Sequence, residues 1–414
     1  MEISCDESGS EGEKLIGGNT DVFTHASLCL DVESAASCIR GIRDRAPSPA
    51  VEYKANVLLR EKNRPALTWL LGPSGPIHGK AHVHLTDKTF LVIGRLTGLL
   101  AGESGPETIA ETTAETAHAP DMGLRRDLRQ DRRDRQIGAM AATLYREGLR
   151  TFGHERWRAF LESSNDLMRT GNGRSTGNGQ GAGNGQGTGN GRDTGSGQGT
   201  ENGREAGNGH GTENGRDSES NRDTGSGRSA EASADTFFDM VEGLRLAGAG
   251  SEVGEIMELF RRARPRVDSF LARLLDDPRT VPSLDPLIPA IVRAVAYWGG
   301  GTRPVSIVHD RQTTLTEERV ARIREMLGEP RPDGLPWSPT ARLSGLRFVA
   351  SYADARIQVA DLLAGAARKI ASDELNGRGD AELTALLRPY VDASSIWGDD
   401  RSWSLLESAS GIRP

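Results

Sequence analysis

The first nine residues, Met1-Glu2-Ile3-Ser4-Cys5-Asp6-Glu7-Ser8-Gly9, decide how the rest of the chain is read. Met1, Ile3 and Cys5 alternate on one side of an extended segment, the period of a half-buried strand. The segment then runs into two carboxylates and a Ser8-Gly9 turn. A carboxylate is a poor packing choice where a strand meets a turn, so Asp6 is expected to face a ligand or a cation. The reading therefore depends on whether the other residues bring matching acids to the same place.

Composition narrows the possibilities. Only 36% of the 414 residues are hydrophobic and 51 are Gly, so a sizeable part of the chain is expected to lie outside any packed core. A net charge of −7 argues against a generally basic nucleic-acid-binding surface and leaves room only for local basic patches. Cys5, Cys29 and Cys38 are odd in number and lack metal-ligand spacing, which points to reduced thiols. The opening acidic strand carries no signal-peptide pattern, and no apolar run approaches the length of a membrane span. A cytoplasmic location with no membrane partner is expected.

Along the chain, Asp21–Leu30 reads as a second strand and Asp31–Arg45 as an amphipathic helix stopped by Pro47 and Pro49. Val51-Glu52-Tyr53-Lys54 leads into a helix reaching about Leu71, and His82–Asp87 is a third strand followed by a helix from Lys88. Ala101–Met122 reads as loop, Arg125–Arg135 as a solvated, arginine-rich helix face, and Ile137–Met168 as helical. Gly171–Ala230 divides into ten hexads such as GNGRST and GNGQGT, with no Val, Leu, Ile or Phe in 60 residues. Without apolar side chains nothing offsets the ordering entropy, so this is read as a flexible insertion rather than a β-helix. Helices follow at Asp235–Leu246, Glu252–Arg262, Val267–Leu275 and Pro286–Tyr297. Then come a buried strand over Val305–Asp310, a Thr316-capped helix, a strand over Gly345–Ser351 and a strong helix over Arg356–Ser372. The organisation is thus 1–169, an insertion over 170–230, and 231–414, with the last residues unassigned.

Acids recur where elements end: Asp6, Glu52, Asp87, Asp310 and, on the last strong helix, Asp361. Strands ending in Asp place acids along one edge of an α/β sheet, where such folds keep their sites. Carboxylates gathered there repel one another and need raised pKa values or a divalent cation. Hard oxygen ligands suit Mg²⁺ or Mn²⁺, and such ions support phosphodiester hydrolysis. Gln358 and Asp361 share a helix face, with Ala360, Ala364 and Gly365 as small residues that permit close approach. A buried partner for Arg or Lys is the competing role for Asp361.

Five motifs in order carry a family resemblance: the opening DESG, Glu52-x-Lys54, the strand ending Asp87-Lys88, the strand ending Asp310, and Gln358-x-Ala360-Asp361-Leu362-Leu363-Ala364-Gly365. The chain resembles the bacterial domain-of-unknown-function family 3800 over most of residues 1–98 and 300–372. The resemblance implies an α/β domain of RNase H-like type, a mixed sheet flanked by helices, here interrupted by a helical segment and the hexad insertion. It also implies that Asp6, Glu52, Asp310 and Asp361 form the acidic set, with Asp87 competing with Asp310 for the middle strand. Residues 101–300 depart from the family pattern, as does Arg356 before Ile357-Gln358, where an apolar residue is expected.

The leading expectation is a Mg²⁺- or Mn²⁺-dependent nuclease or other phosphodiester hydrolase, with nucleic acid as partner and Lys54 assisting electrostatically. A non-catalytic RNase H-like binding module, with the acids serving structure, is the alternative. Glu7 is read as supporting the site rather than as a ligand. Lys88 is open between a phosphate contact and pairing with nearby acids. His78, His82 and His84 are read as surface histidines and His309 as a packed one. Ser8 has no histidine placed by any signature to make it a nucleophile.

Overall fold

The protein is described from a computed structural model covering residues 1–49, 53–101, 128–169, 224–276, 284–300, 303–311 and 342–408, with isolated positions between 315 and 323. Glu52, residues 102–127, the hexads before Thr224 and the expected Thr316 cap lie outside these described residues.

Five strands make one mixed sheet: β1 (Glu2–Ser8), β2 (Val22–Leu28), β3 (Ala81–Asp87), β4 (Pro304–Asp310) and β5 (Arg342–Val349). Their order is β3-β2-β1-β4-β5. β2 runs antiparallel to β1 and β3, while β4 and β5 run parallel to β1 and to each other. The chain is therefore α/β with a mixed sheet flanked by helices. The two sheet faces follow from the two-residue period of β1. Ser4, Asp6 and Ser8 look toward helix α11 (Ala355–Leu375), and Ile3, Cys5 and Glu7 look toward α10 (Leu287–Gly299). With helices on both faces, β2 and β3 are buried along their whole length.

Three cores result. On one face α11 packs Val359, Leu362, Leu363 and Ala366 with Val22, Ala26, Val83 and Leu85 of the sheet and with α1 (Val32–Arg45) and α3 (Arg64–Leu71). Each fully buried Leu or Val there contributes about 1.5–3 kcal/mol. On the other face Ile288, Ile291, Val295 and Trp298 of α10 cover Ile3, Cys5, Phe23 and Ile307. A third core joins α4 (Lys88–Ala101) to α5 (Leu128–Phe152), α6 (His154–Met168), α7 (Thr224–Ala247), α8 (Glu252–Arg262) and α9 (Arg264–Asp276).

Local readings are refined in four places. The helix expected between Lys54 and Leu71 is α2 (Ala55–Leu58), a 3₁₀ turn over Glu61–Asn63, and α3. Pro65 stands in the first turn of α3, where its missing N–H costs nothing. The hexad tract was read as far as Ala230, but α7 begins at Thr224, so the last hexad is helical. β1 does not end at Asp6: it continues to Ser8 and pairs Asp6 with Ala26 and Ser8 with Thr24. Between α12 (Ala381–Leu387) and α13 (Asp400–Leu406) the chain entering the unassigned tail clasps the outer edge of β3, with bridges from Val391 to Val83 and from Ile396 to Thr86. The Ser8-Gly9 turn is as read: Gly9 has φ +85°, and a Cβ there would meet the Val22 carbonyl oxygen at 2.4 Å. The three cysteines are free thiols.

Candidate carboxylate site

Asp6 lies inside the central strand, only 4% exposed. Its Oδ1 accepts from the Glu7 backbone N–H at 2.8 Å. Burial pushes its carboxyl up to about 9, reinforced by the negative charges of Glu7, Asp361 and Asp310. Glu7 is pushed up to about 8 by burial, then by Asp310, Asp285 and Asp361. In both groups burial is the larger cause and the neighbouring negative charges add to it.

Asp361 reaches the group from α11, and small residues allow it. A Cβ added at Gly365 would lie 2.4 Å from Ala55 Cβ, so α2 and α11 touch with no room for a side chain between them. That approach sets Lys54, the residue preceding α2, beside the acid, with Nζ 3.1 Å from Asp361 Oδ2. The Lys54 side chain is 50% exposed and that of Asp361 18%, so the pair opens toward solvent. Two turns farther along α11 from Asp361, Arg368 Nε donates to Ser8 Oγ at 2.9 Å and ties the helix to the end of β1. Asp310 closes β4 opposite Val349 of β5. Glu52, expected in the same set, lies outside the described residues.

Asp87 does not join them. Asp6 pairs with Ala26 and Ala26 with Val83, so Asp87 sits two strands across and four residues along β3. That is about 13 Å along the strand and 9–10 Å across it. Asp87 instead caps α4, accepting from Phe90 N–H at 3.1 Å with the Tyr145 hydroxyl beside it, and burial raises its pKa to about 6. Lys88 is also withdrawn from phosphate chemistry, being buried with Nζ 2.6 Å from both Glu11 Oε2 and Thr20 Oγ1.

The histidine reading needs one correction. His82 and His84 are not on the surface but 2% and 1% exposed under α10. His82 Nε2 lies 3.0 Å and His84 Nδ1 3.8 Å from Asp392 Oδ2, and the His82 ring stacks on Tyr297 with centroids 3.9 Å apart. Asp392 arrives from the tail that clasps β3, a partner no local pattern announced. Against the burial that opposes its charge, the two imidazoles hold its carboxyl well below the usual range. His309 is packed as expected, stacked on His25 at 5.5 Å. Its Nδ1 lies 3.0 Å from the Asp310 carbonyl oxygen, which can only accept, so Nδ1 carries the proton and bare Nε2 faces Glu7 Oε2 at 3.7 Å.

Among the described residues no group of three or more His, Cys, Asp or Glu side chains is arranged to hold a metal ion. The described acids nonetheless suit a hard divalent cation in donor chemistry and in charge, since Asp6 and Glu7 are buried carboxyls driven to retain protons. Also among the described residues, no helix is long and apolar enough to cross a membrane. No family model, curated protein or solved structure matches the chain.

Proposed function

We propose that the chain is a Mg²⁺- or Mn²⁺-dependent phosphodiester hydrolase of RNase H-like fold, acting as a nuclease. The observation that carries this reading is geometric: Asp6, 4% exposed, lies on the central strand β1, the neighbouring strand β4 ends in Asp310, and α11 carries Asp361 over the same face. The sheet supports the same reading at the coarser level that the resemblance implies, a mixed sheet flanked by helices.

Asp6, Asp310 and Asp361, with Glu52 of the implied acidic set, are the residues that would hold the cation. When bound, the cation would supply charge stabilisation to the phosphodiester and a more acidic water. The chain's own contribution is threefold. β1 and α11 present Asp6 and Asp361 from rigid elements, so little reorganisation is needed. Lys54 neutralises Asp361 until a phosphate competes for its ammonium. The sheet and α11 wall keep bulk water from Asp6.

A non-catalytic binding module has one observation in its favour: the Lys54–Asp361 pair already gives Asp361 a structural partner. Mn²⁺-dependent cleavage of a mixed DNA and RNA panel by wild type, Asp6→Asn and Asp361→Asn separates the two. The hydrolase reading expects wild-type cleavage that both substitutions abolish. Cleavage that survives both would sink it.

A further inference from the structure

We infer that Tyr352 is a stacking platform for an unpaired base of a single-stranded nucleic acid, an inference that rests on the hydrolase reading above. Tyr352 is 72% exposed, and among the described residues no other Phe, Tyr or Trp is left exposed. A ring left in water forgoes one of the larger hydrophobic gains a side chain can make. Phe348, Tyr297, Trp397 and Trp403, by contrast, are all at least partly buried against a core.

Position gives the exposure its meaning. β5 ends at Val349, directly opposite Asp310. Tyr352 follows three residues later, so its Cα lies within about 10 Å of that of Val349. The intervening chain is not loose. Ser351–Ala353 is a 3₁₀ turn closed by Ala353 N–H on the Ala350 carbonyl at 2.9 Å. Asp354 then caps α11, accepting from Arg356 N–H at 2.9 Å and holding the Arg356 guanidinium at 2.7 Å. Tyr352 thus stands on a base fixed to the helix that carries Asp361.

The charges nearby select the ligand. Arg347 pairs with Val308 and therefore shares the sheet face of Asp310; its side chain is 52% exposed and its guanidinium lies 3.4 Å from Glu2 Oε1, an exposed ion pair that a phosphate would have to displace. Arg311, directly after Asp310, is exposed, and Lys54 is half exposed beside Asp361. Arginines and a lysine at the same end of the sheet as an exposed ring suit a polymer that offers phosphates and base faces together. A duplex hides its base faces in the stack, so the ring selects single strands.

The experiment is fluorescence anisotropy with labelled oligothymidine, oligouridine and a blunt DNA duplex, without divalent cation. Wild type, Tyr352→Ala and Tyr352→Phe are compared. Tyr352→Ala is expected to weaken single-strand binding about tenfold, while Tyr352→Phe stays close to wild type and duplex binding does not change. Wild type should hydrolyse bis(p-nitrophenyl) phosphate in a Mn²⁺- and Asp361-dependent way, a readout of the hydrolase reading that needs no oligonucleotide. Unchanged single-strand binding by Tyr352→Ala, or equal losses in the Ala and Phe variants, overturns the inference. So does wild type that binds no oligonucleotide yet hydrolyses the small phosphodiester in an Asp361-dependent way, and that outcome leaves the hydrolase reading standing. If Tyr352→Ala weakens binding while Asp361→Asn leaves cleavage intact, the stacking role holds and the hydrolase assignment fails.

Discussion

Replacing Asp6 by Asn should stabilise the protein, and by more as the pH rises. In the folded chain the Asp6 carboxyl is pushed up to about 9 by burial and by Glu7, Asp361 and Asp310. In the unfolded chain an Asp titrates near about 3.9. Between these values the folded state holds a proton that the unfolded state has released, so stability is fully present at low pH and declines as pH rises. The decline is about 1.4 kcal/mol per pH unit, or about 4 kcal/mol between pH 5 and pH 8. Asn does not titrate, and its Oδ1 keeps the acceptor for the Glu7 N–H, so the variant loses this slope while retaining the local geometry. Urea unfolding of both proteins at those two pH values measures the difference. Wild type should fall relative to Asp6→Asn as pH rises, and added Mn²⁺ should recover wild type more than the variant. Parallel pH dependence in the two proteins would refute the reasoning, because it would mean that Asp6 is ionised and already compensated in the folded state. A gain in stability with a loss of cleavage is the trade expected of a residue kept for chemistry rather than packing.

Three further outcomes are expected. Gly365→Ala forces a Cβ to within 2.4 Å of Ala55 Cβ and should cost about 1–3 kcal/mol in urea unfolding, with partial recovery in Gly365→Ala/Ala55→Gly. His309 is buried and held down at about 4, so the stability it contributes is complete above about pH 6.5 and is lost as pH falls toward the folded value. Unfolding at pH 7 and pH 4.5 should therefore show a shallower acid loss in His309→Gln, by up to about 3 kcal/mol, and equal losses would count against a neutral buried imidazole. Lys54→Met should change stability by less than about 1 kcal/mol, since its side chain is half exposed, yet lower Mn²⁺-dependent cleavage at least severalfold; a large stability loss with unchanged cleavage would make the Lys54–Asp361 pair structural.

Several features were legible in the residues alone because their causes are local. The alternation of Ile3 and Cys5, the Gly9 turn, the capped helix over Glu252–Arg262 and the small-residue face of Ala364 and Gly365 depend on neighbours a few positions away. Asp6, Asp310 and Asp361 stood out for the same reason: an acid amid apolar strand or helix residues is anomalous wherever it occurs. Which acids meet was not visible. Asp87 and Asp310 look alike in the sequence, each closing a strand, and only the strand order puts Asp310 next to β1 and Asp87 two strands away. The burial of His82 and His84 depended equally on distant chain, since α10 and the Asp392 tail cover a strand whose alternation alone would suit a solvated face. Periodicity records which side of an element is apolar; it carries no information about which element comes to lie against that side. The sequence by itself determined the elements and the candidate acids, and the tertiary pairing of β1 with β4 and α11 decided which of them share one field.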